Sequence, residues 1–293
     1  MGSLGNGFIV LVNCMDWVKR RKLSSADKIL TALAVSRIAM LCLVLISLLV
    51  TMLHPGLLTS KMVRVTDVIW TVTNHFNLWL TTSLSIFYFL KIATFSNSIF
   101  LYLKWRVKRV TSVTLLVSLL ILFLDILITH KYHNIRDGGS KGTKPTGSSS
   151  RNSTESSKAL LVTHSVFMLV PFTVSMMAFL LLIFSLWRHL KQMQITMTGP
   201  RDASTTAHVK ALLTGIALLF LHAIFSVSLV IEISSFDLLE ESLIILIEHA
   251  TGIAFPSSHS FVLILGNSKL RRASLSVLWQ LTCWSKDREP SAH

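Results

Sequence analysis

A chain of 293 residues with 52% hydrophobic and 14% charged side chains is too apolar for a soluble domain, in which about 25% of residues are charged. The mean hydropathy of +0.62 indicates a protein that has lipid rather than water as its solvent. Each membrane-spanning helix takes about 20 residues, so seven spans, short loops and a tail account for nearly the whole length. The composition therefore leaves no room for a second folded domain.

The charge balance is strongly basic, with 28 Lys and Arg against 14 Asp and Glu and a net charge of +14. In a soluble protein this surplus would indicate nucleic-acid binding. Here the basic residues lie mostly in short segments between apolar runs, as they do in the cytoplasmic loops of membrane proteins. No basic face with interleaved aromatic residues lies outside the apolar runs, so we exclude nucleic acid as a partner.

Seven apolar runs predict seven membrane-spanning helices. These helices are expected at about residues 1–15, 29–53, 68–90, 110–129, 159–187, 209–233 and 243–265. We therefore predict an all-α transmembrane fold, with a seven-helix bundle over residues 1–266 and a cytoplasmic tail over residues 267–293.

The first run is short. It has 15 residues before the charged Asp16, roughly 22 Å of helix at 1.5 Å per residue, whereas the hydrocarbon core is about 30 Å thick. The run is either an interfacial or re-entrant segment or the end of a spanning helix whose beginning is missing, and we favour the second interpretation. A signal peptide is excluded, because no basic segment precedes the run and no small-residue cleavage site follows it.

The distribution of Lys and Arg predicts the orientation. Nineteen lie in the segments after the first, third and fifth runs and in the tail, against eight in the opposite loops, so we expect the tail side to be cytoplasmic. Six of the eight lie in residues 131–158, a Gly- and Ser-rich stretch that predicts a flexible extracellular loop. This loop contains the sequon Asn152-Ser153-Thr154, which predicts N-glycosylation of Asn152.

The tail begins with an amphipathic pattern. Arg271 and Arg272 accompany an apolar stripe at helical spacing, which consists of Leu275, Leu278, Leu281 and Trp284. This pattern predicts a helix that lies on the inner leaflet with its basic face toward anionic headgroups.

The three cysteines, Cys14, Cys42 and Cys283, suit neither a metal site nor a disulfide framework, and we expect no extracellular disulfide. Cys283 is either a palmitoylation site or an unmodified cytosolic cysteine. Enzyme chemistry finds little support, because the chain has no HExxH motif and the Ser257–Ser260 stretch has neither a nucleophile elbow nor an acid partner. We predict no catalytic residue, no metal site and no cofactor.

Arg37 lies near the middle of the second run, where a charge is costly unless it faces the bundle interior and is paired. Its expected partners are Asn6 of the first run and residues 257–260 of the seventh. Such a cluster is either a structural clamp or part of a signalling switch, and the two roles are compatible. Pro256 is expected to bend the seventh helix and to act as a pivot.

The outer half of the third run predicts a ligand site. Trp70 and Asn74 are four residues apart and share a helix face, which suits a mostly apolar ligand that needs one directional hydrogen bond. The alternative is an interhelical hydrogen bond, which is worth about 0.6 kcal/mol in membranes. Phe225 and His249 lie at a similar depth in the sixth and seventh runs, where each taken alone is more consistent with packing than with ligand contact.

Several strings of the sequence resemble those of one receptor family, in the same order and over essentially the whole chain. These strings are Leu4–Ile9, Leu30–Arg37, Phe87–Ala93, His208–Leu212 and His259–Ile264. The chain resembles the type 2 (bitter) taste receptors, which are G-protein-coupled receptors of the plasma membrane.

The resemblance implies a pocket for small bitter agonists that opens outward among helices 2, 3, 5, 6 and 7. It places Trp70, Asn74, Phe225 and His249 at ligand-binding positions. It also implies coupling to a heterotrimeric G protein such as gustducin through a cleft at the inner ends of helices 5 and 6. The residues expected to form the activation switch are Asn6, Arg37, Tyr88, Lys91, His208, His259 and Ser260.

Two other functions remain open at this stage. A pheromone-like, vomeronasal-type chemoreceptor is the nearer alternative, and the strings of the third and seventh runs argue against it. A secondary transporter is the more distant one, because transporters usually show internal repeats and broken helices, and the sequence shows neither. Apart from agonists and a G protein, the expected partners are membrane lipids.

Overall fold

The computed structural model describes residues 2–19, 22–53, 60–140, 148–196, 203–234 and 241–286. Within these residues the chain forms nine helices. They are α1 (Gly2–Val18), α2 (Ser25–Leu53), α3 (Ser60–Ile92), α4 (Ser98–Trp105), α5 (Val107–Ser140), α6 (Ser148–Thr196), α7 (Ala203–Ser234), α8 (Glu241–Gly266) and α9 (Ser268–Lys286).

Seven of these helices form a closed ring, and the short α4 and the terminal α9 lie outside it. The order around the ring is α1, α2, α3, α5, α6, α7 and α8, and α8 returns to pack against α1. Helix α3 also packs against α6, so it crosses the middle of the bundle. This arrangement confirms the predicted seven-helix bundle, and it brings α2, α3, α6, α7 and α8 around a common interior.

The polarity of this bundle is the reverse of that of a soluble protein. Large apolar side chains such as Leu120, Phe123 and Phe220 are at least 60% exposed on its outer surface, whereas the interior holds polar groups such as Arg37 and Asn77. An apolar outer face is stable only against lipid, and buried polar groups must then find partners inside. The fold therefore has the surface of a membrane protein.

By length and composition, three stretches among the described residues could cross a membrane. They are Ser25–Ile46, Val107–Lys131 and Val166–Gln192. Shorter apolar stretches lie in α7 (Val209–Phe225) and α8 (Ile253–Gly266).

Helix α1 packs as a member of the bundle rather than as an interfacial segment. Its buried residues recur at helical spacing, at Gly2, Gly5, Asn6, Ile9, Val12 and Asn13, and this face lies against α2 and α8. A Cβ atom on Gly2 would overlap the side chain of Ser257 on α8. The two helices therefore approach too closely there for any residue but glycine.

Most helices extend beyond the predicted runs, and two of these extensions fall in the predicted loop. Residues 131–140 and 148–158, which the composition predicts to be part of a flexible loop, continue α5 and α6 as helix. Once a spanning helix exists, each further residue adds a backbone hydrogen bond without a new nucleation cost, so the helices run past their apolar segments. The side chain of Asn152 lies outside the described residues, as do residues 141–147.

Helix α4 has no counterpart among the predicted runs, because eight residues are too few to show a periodic pattern. Asn97 begins it, with Oδ1 accepting a hydrogen bond from the backbone N–H of Ile99 at 2.8 Å, as N-cap residues do. Lys104 holds it to the end of α3, donating from Nζ to the carbonyl oxygen of Ala93 at 2.8 Å.

Helix α9 lies where the amphipathic helix is predicted. Asn267 begins it, accepting a hydrogen bond from the backbone N–H of Lys269 at 3.0 Å. Leu270 is fully buried against the bundle, whereas Leu275 and Leu278 are 58% and 59% exposed. An exposed apolar stripe beside Arg271 and Arg272 suits a membrane surface; the side chains of Leu281 and Trp284 lie outside the described residues.

Candidate functional site

Arg37 of α2 is the centre of a polar network in the middle of the bundle, and it is 1% exposed. Its guanidinium donates from Nε to Oδ1 of Asn77 at 3.0 Å and from Nη1 to Oγ of Ser260 at 2.6 Å. Nη2 lies 3.3 Å from Oγ1 of Thr81 and 3.1 Å from Nδ1 of His259. An amide and a hydroxyl of α3 and a hydroxyl and an imidazole of α8 therefore surround the positive charge.

Ser260 extends this network to α1. Its hydroxyl accepts from Arg37 and lies 2.8 Å from both Oδ1 of Asn6 and the carbonyl oxygen of Pro256, and one of these two takes its single proton. Asn6 in turn donates to the carbonyl oxygen of Gly2 at 2.8 Å. The contacts expected between Arg37, Asn6 and residues 257–260 are thus present, with Asn6 reached through Ser260.

A second arm of polar side chains joins α3 to α6 and α7. The hydroxyls of Ser85 and Ser175 are 2.8 Å apart, and Ser175 lies 3.2 Å from Nε2 of His222. The His222 ring is 5.7 Å from the His259 ring between centroids. The arm therefore reaches His259, the partner of Arg37, through a ring contact.

The hydrogen bonds define the tautomers of the two histidines in their neutral forms. Arg37 can only donate, so Nδ1 of His259 accepts and its proton is on Nε2. Nδ1 of His222 lies 2.8 Å from the carbonyl oxygen of Leu218, which can only accept, so Nε2 of His222 accepts from Ser175. Nε2 of His259 is buried and has no hydrogen-bond partner among the described residues.

The hydrogen bonds of the network depend on the relative positions of six helices, because each helix contributes at least one donor or acceptor. Leaving a buried polar group without its partner costs about 1–3 kcal/mol. When one helix shifts, its polar groups must therefore leave one hydrogen-bond partner and take another, rather than lengthen the existing bonds gradually. Such an arrangement has a few discrete states, as a switch requires.

Two of the predicted ligand residues, Asn74 and Phe225, lie at a cluster of apolar side chains next to this network. Asn74 is 6% exposed, and its Nδ2 lies 3.7 Å from the sulfur of Met168 on α6. Met168 belongs to the same buried cluster as Phe225, so the structure brings these two predicted residues to one place. Trp70 is partly buried one turn away on α3; the side chain of His249 lies outside the described residues.

Three phenylalanines form the centre of this cluster, which we call the aromatic cluster: Phe172, Phe225 and Phe255. Phe172 and Phe225 stack with centroids 4.5 Å apart and an interplanar angle of 17°, and Phe225 and Phe255 are 4.9 Å apart. His222 lies against the cluster, 5.3 Å from the Phe172 ring and 5.0 Å from the Phe255 ring. The aromatic cluster therefore contacts the polar network directly.

The inner end of the bundle, where α4 and α9 lie, contains a cavity of about 240 Å³ between α3, α6, α7 and α8. Tyr88 of the predicted switch lines it, whereas Lys91 projects from α3 with Nζ 5.5 Å from the Phe87 ring centroid. Gly266 lies at its rim, where a Cβ atom would be 2.5 Å from Cγ2 of Thr214 on α7. The side chain of His208 lies outside the described residues.

Lys269 forms a second polar centre at this end, which the sequence analysis missed. Its Nζ lies 2.7 Å from a carboxylate oxygen of Asp16 on α1 and 3.6 Å from one of Asp27 on α2, and it donates to Oδ1 of Asn13 at 2.8 Å. Ser24 and Asp27 cap the first turn of α2 reciprocally, with Ser24 Oγ accepting from the Asp27 backbone N–H at 3.1 Å. Lys269 thus ties α9 to the inner ends of α1 and α2.

A groove of about 680 Å³ on the outer face of α1, α2 and α3 is lined by side chains such as Trp17 and Phe76. Among the described side chains, those of Trp70, Asn74 and Phe225 do not line it. It faces the lipid and is separate from the aromatic cluster.

Comparison with known proteins identifies relatives over the whole length. A family model described as taste receptor protein (TAS2R) matches residues 1–282. Taste receptor type 2 member 14 of Homo sapiens is 53% identical over 296 residues, covering 100% of this chain and 92% of the relative. Taste receptor type 2 member 140 of Rattus norvegicus is 52% identical over 282 residues, covering 96% and 90%. Member 110 of Mus musculus is 52% identical over 309 residues, covering 99% and 92%.

Proposed function

This chain belongs to the type 2 taste receptor family, and from that premise we propose which of its residues bind a bitter agonist and how the signal crosses the bundle. It is a bitter taste receptor of the seven-helix type and not an enzyme. The agonist binds at the outer side of the aromatic cluster, between Trp70 and Asn74 of α3 and Phe225 of α7. His249 of α8 completes the pocket.

The observation that carries this proposal is the convergence of Asn74 and Phe225 on one buried cluster. The Asn74 amide has only a weak acceptor, the sulfur of Met168, at 3.7 Å, since thioether sulfur accepts hydrogen bonds poorly. An agonist oxygen in the same place would form a better bond. The surrounding apolar and aromatic side chains supply the burial that a drug-sized molecule needs.

The aromatic cluster transmits the binding event to the switch. Phe225 stacks on Phe172, and both Phe172 and Phe255 contact His222 within about 5.3 Å. A ligand that separates these rings moves α6, α7 or α8, and with them the hydrogen bonds from Ser175 to His222 and from Arg37 to His259 and Ser260. The switch comprises Asn6, Arg37, His259 and Ser260 in mid-bundle.

The inner end receives the G protein, which we propose to be gustducin-like. Tyr88, Lys91 and His208 belong to this part of the switch, and the cavity beside Tyr88 widens when α7 moves away from α8. The α4 and α9 end faces the cytoplasm of a plasma membrane, as the excess of Lys and Arg on that side supports. The opposite loops are extracellular, with a glycan on Asn152.

The test is calcium imaging of cells that express the chain with a surface tag and a promiscuous G protein, challenged with a panel of bitter compounds. Asn74→Ala is expected to lower agonist potency about tenfold, because it removes one buried hydrogen bond worth about 1–1.5 kcal/mol. Thr73→Ala is the matched control, since the Thr73 hydroxyl bonds only to carbonyl oxygens of its own helix.

The two variants distinguish an effect on the proposed agonist pocket from an effect on folding. Equal potency for Asn74→Ala and Thr73→Ala, at equal surface expression, would contradict the proposed pocket. Silence toward every compound by the wild-type chain at the cell surface would instead count against the assignment of bitter agonists.

A further inference from the structure

A second groove, lined by residues of α3, α4, α5 and α6, lies on the lipid-facing side of the bundle. It has a volume of about 510 Å³, which is within the range of small-molecule sites. Its deeper part is lined by apolar side chains, among them Trp79 of α3, Val113 and Val117 of α5, and Val174 of α6. We call it the α5 groove; none of the residues of the proposed agonist pocket lines it.

The inner end of the α5 groove is basic. Arg106 and Arg109 line it, and Lys104 and Lys108 lie in the same segment of the chain. The sequence contains no Asp or Glu between Asp67 and Asp125, so no carboxylate near these arginines in the chain offsets their charge. The groove therefore has one charged end and one apolar end.

Aromatic side chains hold one of the two arginines at the surface. The Arg106 guanidinium carbon lies 5.0 Å from the centroid of the Tyr102 ring and 5.9 Å from that of Trp105. Tyr102 and Trp105 are 55% and 82% exposed, and exposed Tyr and Trp are typical of the headgroup level of a membrane. Arg106 is thereby placed at the depth of lipid phosphates.

We infer that the α5 groove binds one anionic glycerophospholipid, with its phosphate between Arg106 and Arg109 and one acyl chain along the apolar part. Arginine binds phosphate through paired, charge-assisted hydrogen bonds, and anionic lipids are concentrated in the cytoplasmic leaflet. A sterol has no anionic group for the arginines, and a helix of a second receptor would leave both guanidinium groups against an apolar surface.

The inference rests on the proposed orientation only for the choice of leaflet. A binding experiment on the purified receptor exposes both ends of the bundle to lipid, so its failure would leave the proposed agonist pocket untouched. Likewise, the failure of the agonist experiment would leave this lipid site standing.

Native mass spectrometry of the purified receptor tests the proposed lipid site. The receptor is mixed with equal amounts of phosphatidylserine and phosphatidylcholine that carry the same acyl chains. Wild-type receptor is expected to retain phosphatidylserine about thirtyfold more often, since the two arginines each contribute about 1 kcal/mol to anionic-lipid binding. The double variant Arg106→Gln/Arg109→Gln is expected to lose the preference. Lys108→Gln, which removes an adjacent charge that does not line the groove, is expected to keep it.

A second pair of variants tests the apolar part without changing any charge. Val117→Trp fills the groove and is expected to reduce retention of phosphatidylserine about fivefold, because the acyl chain loses its apolar contacts. Leu116→Trp is the matched control, since Leu116 is also exposed on the outer surface, at 62% against 45% for Val117, but does not line the groove.

Equal retention of the two lipids by the wild-type receptor would overturn the inference. An unchanged preference for phosphatidylserine in both the double arginine variant and Val117→Trp would also overturn it. A loss of this preference in Lys108→Gln as large as in the double variant would do the same. Retention of cholesterol that excludes phosphatidylserine from the groove would overturn it as well.

Discussion

The polar network around Arg37 and the aromatic cluster lie in contact at His222, yet they are held together by different forces. In the network, Arg37, Ser260 and the other members contact one another at 2.6–3.3 Å through directed donors and acceptors. In the cluster, rings contact one another at centroid distances of 4.5–5.4 Å and at several interplanar angles. The two regions also differ in how far their residues are predictable from the chain.

In the proposed mechanism, this difference suits the two regions to different tasks. Aromatic and aliphatic groups interact through dispersion and area burial, which tolerate many arrangements of similar energy. A hydrogen-bonded network around a buried charge tolerates few, because each unsatisfied group is costly. A cluster that adapts to varied apolar ligands, joined to a network that has discrete states, can convert many chemical inputs into one output.

The largest expected effect comes from removing the charge at the centre of the network. Arg37→Met deletes four hydrogen-bond contacts and leaves Asn77, Ser260 and His259 buried without that partner. With about 1–3 kcal/mol for each unsatisfied group, the free energy of unfolding is expected to fall by about 3 kcal/mol or more. Thermal unfolding of the purified receptor, followed by tryptophan fluorescence, measures this loss.

The variant Arg37→Lys separates the effect of side-chain geometry from the effect of charge. A lysine keeps the positive charge but lacks the planar fork that reaches α3 and α8 at once, so we expect intermediate stability. Unfolding of Arg37→Met at the wild-type temperature would show that the network contributes nothing to the fold.

A smaller effect is expected in the aromatic cluster. Phe225→Leu keeps an apolar side chain but loses the stacking on Phe172, which is worth about 0.5–1.5 kcal/mol for an aromatic pair. Agonist potency in calcium imaging is expected to fall about fivefold, with surface expression close to wild type. Phe220→Leu, on the same helix and 66% exposed, should leave potency unchanged, and an equal loss there would remove the cluster from the binding site.

The smallest effect is expected where the two regions meet. Ser175→Ala removes the hydroxyl that donates to Nε2 of His222 and costs about 1 kcal/mol, which loosens α6 from α7 without disturbing Arg37. Signalling without agonist is expected to rise several-fold, as measured by basal inositol phosphate. Thr173→Ala is the control, because its hydroxyl bonds only to the Leu169 carbonyl of its own helix. A basal signal equal in both variants would mean that this arm does not restrain the switch.

The network was partly predictable because a charge inside an apolar run demands a partner. Arg37, Asn6 and Ser260 follow from that single energetic rule applied to three runs. His222 is also a polar residue inside an apolar run and carried the same signal, but its partner Ser175 is 47 positions away. Serine is common on helix faces, so the chain alone does not indicate which one faces the histidine.

The aromatic cluster was less predictable for a physical reason. Phenylalanines lie on both sides of the bundle wall, since Phe123 and Phe220 are at least 60% exposed whereas Phe172 and Phe255 are buried. Residue identity alone therefore does not distinguish packing from exposure. The same limit applies to Lys269, whose partners Asp16 and Asp27 lie about 250 positions earlier in the chain. Such pairings depend on the ring closing between α1 and α8, which only the assembled bundle shows.

The contact between Gly266 and Thr214 restricts how the receptor can move. Since even a methyl group on Gly266 would overlap the threonine side chain, the inner ends of α7 and α8 already touch, and neither can advance toward the other. The contact therefore resists closer approach of the two ends, whereas separation meets no such overlap. In the proposed mechanism, the closed limit of the inner face is thus set by the van der Waals surface of a single residue.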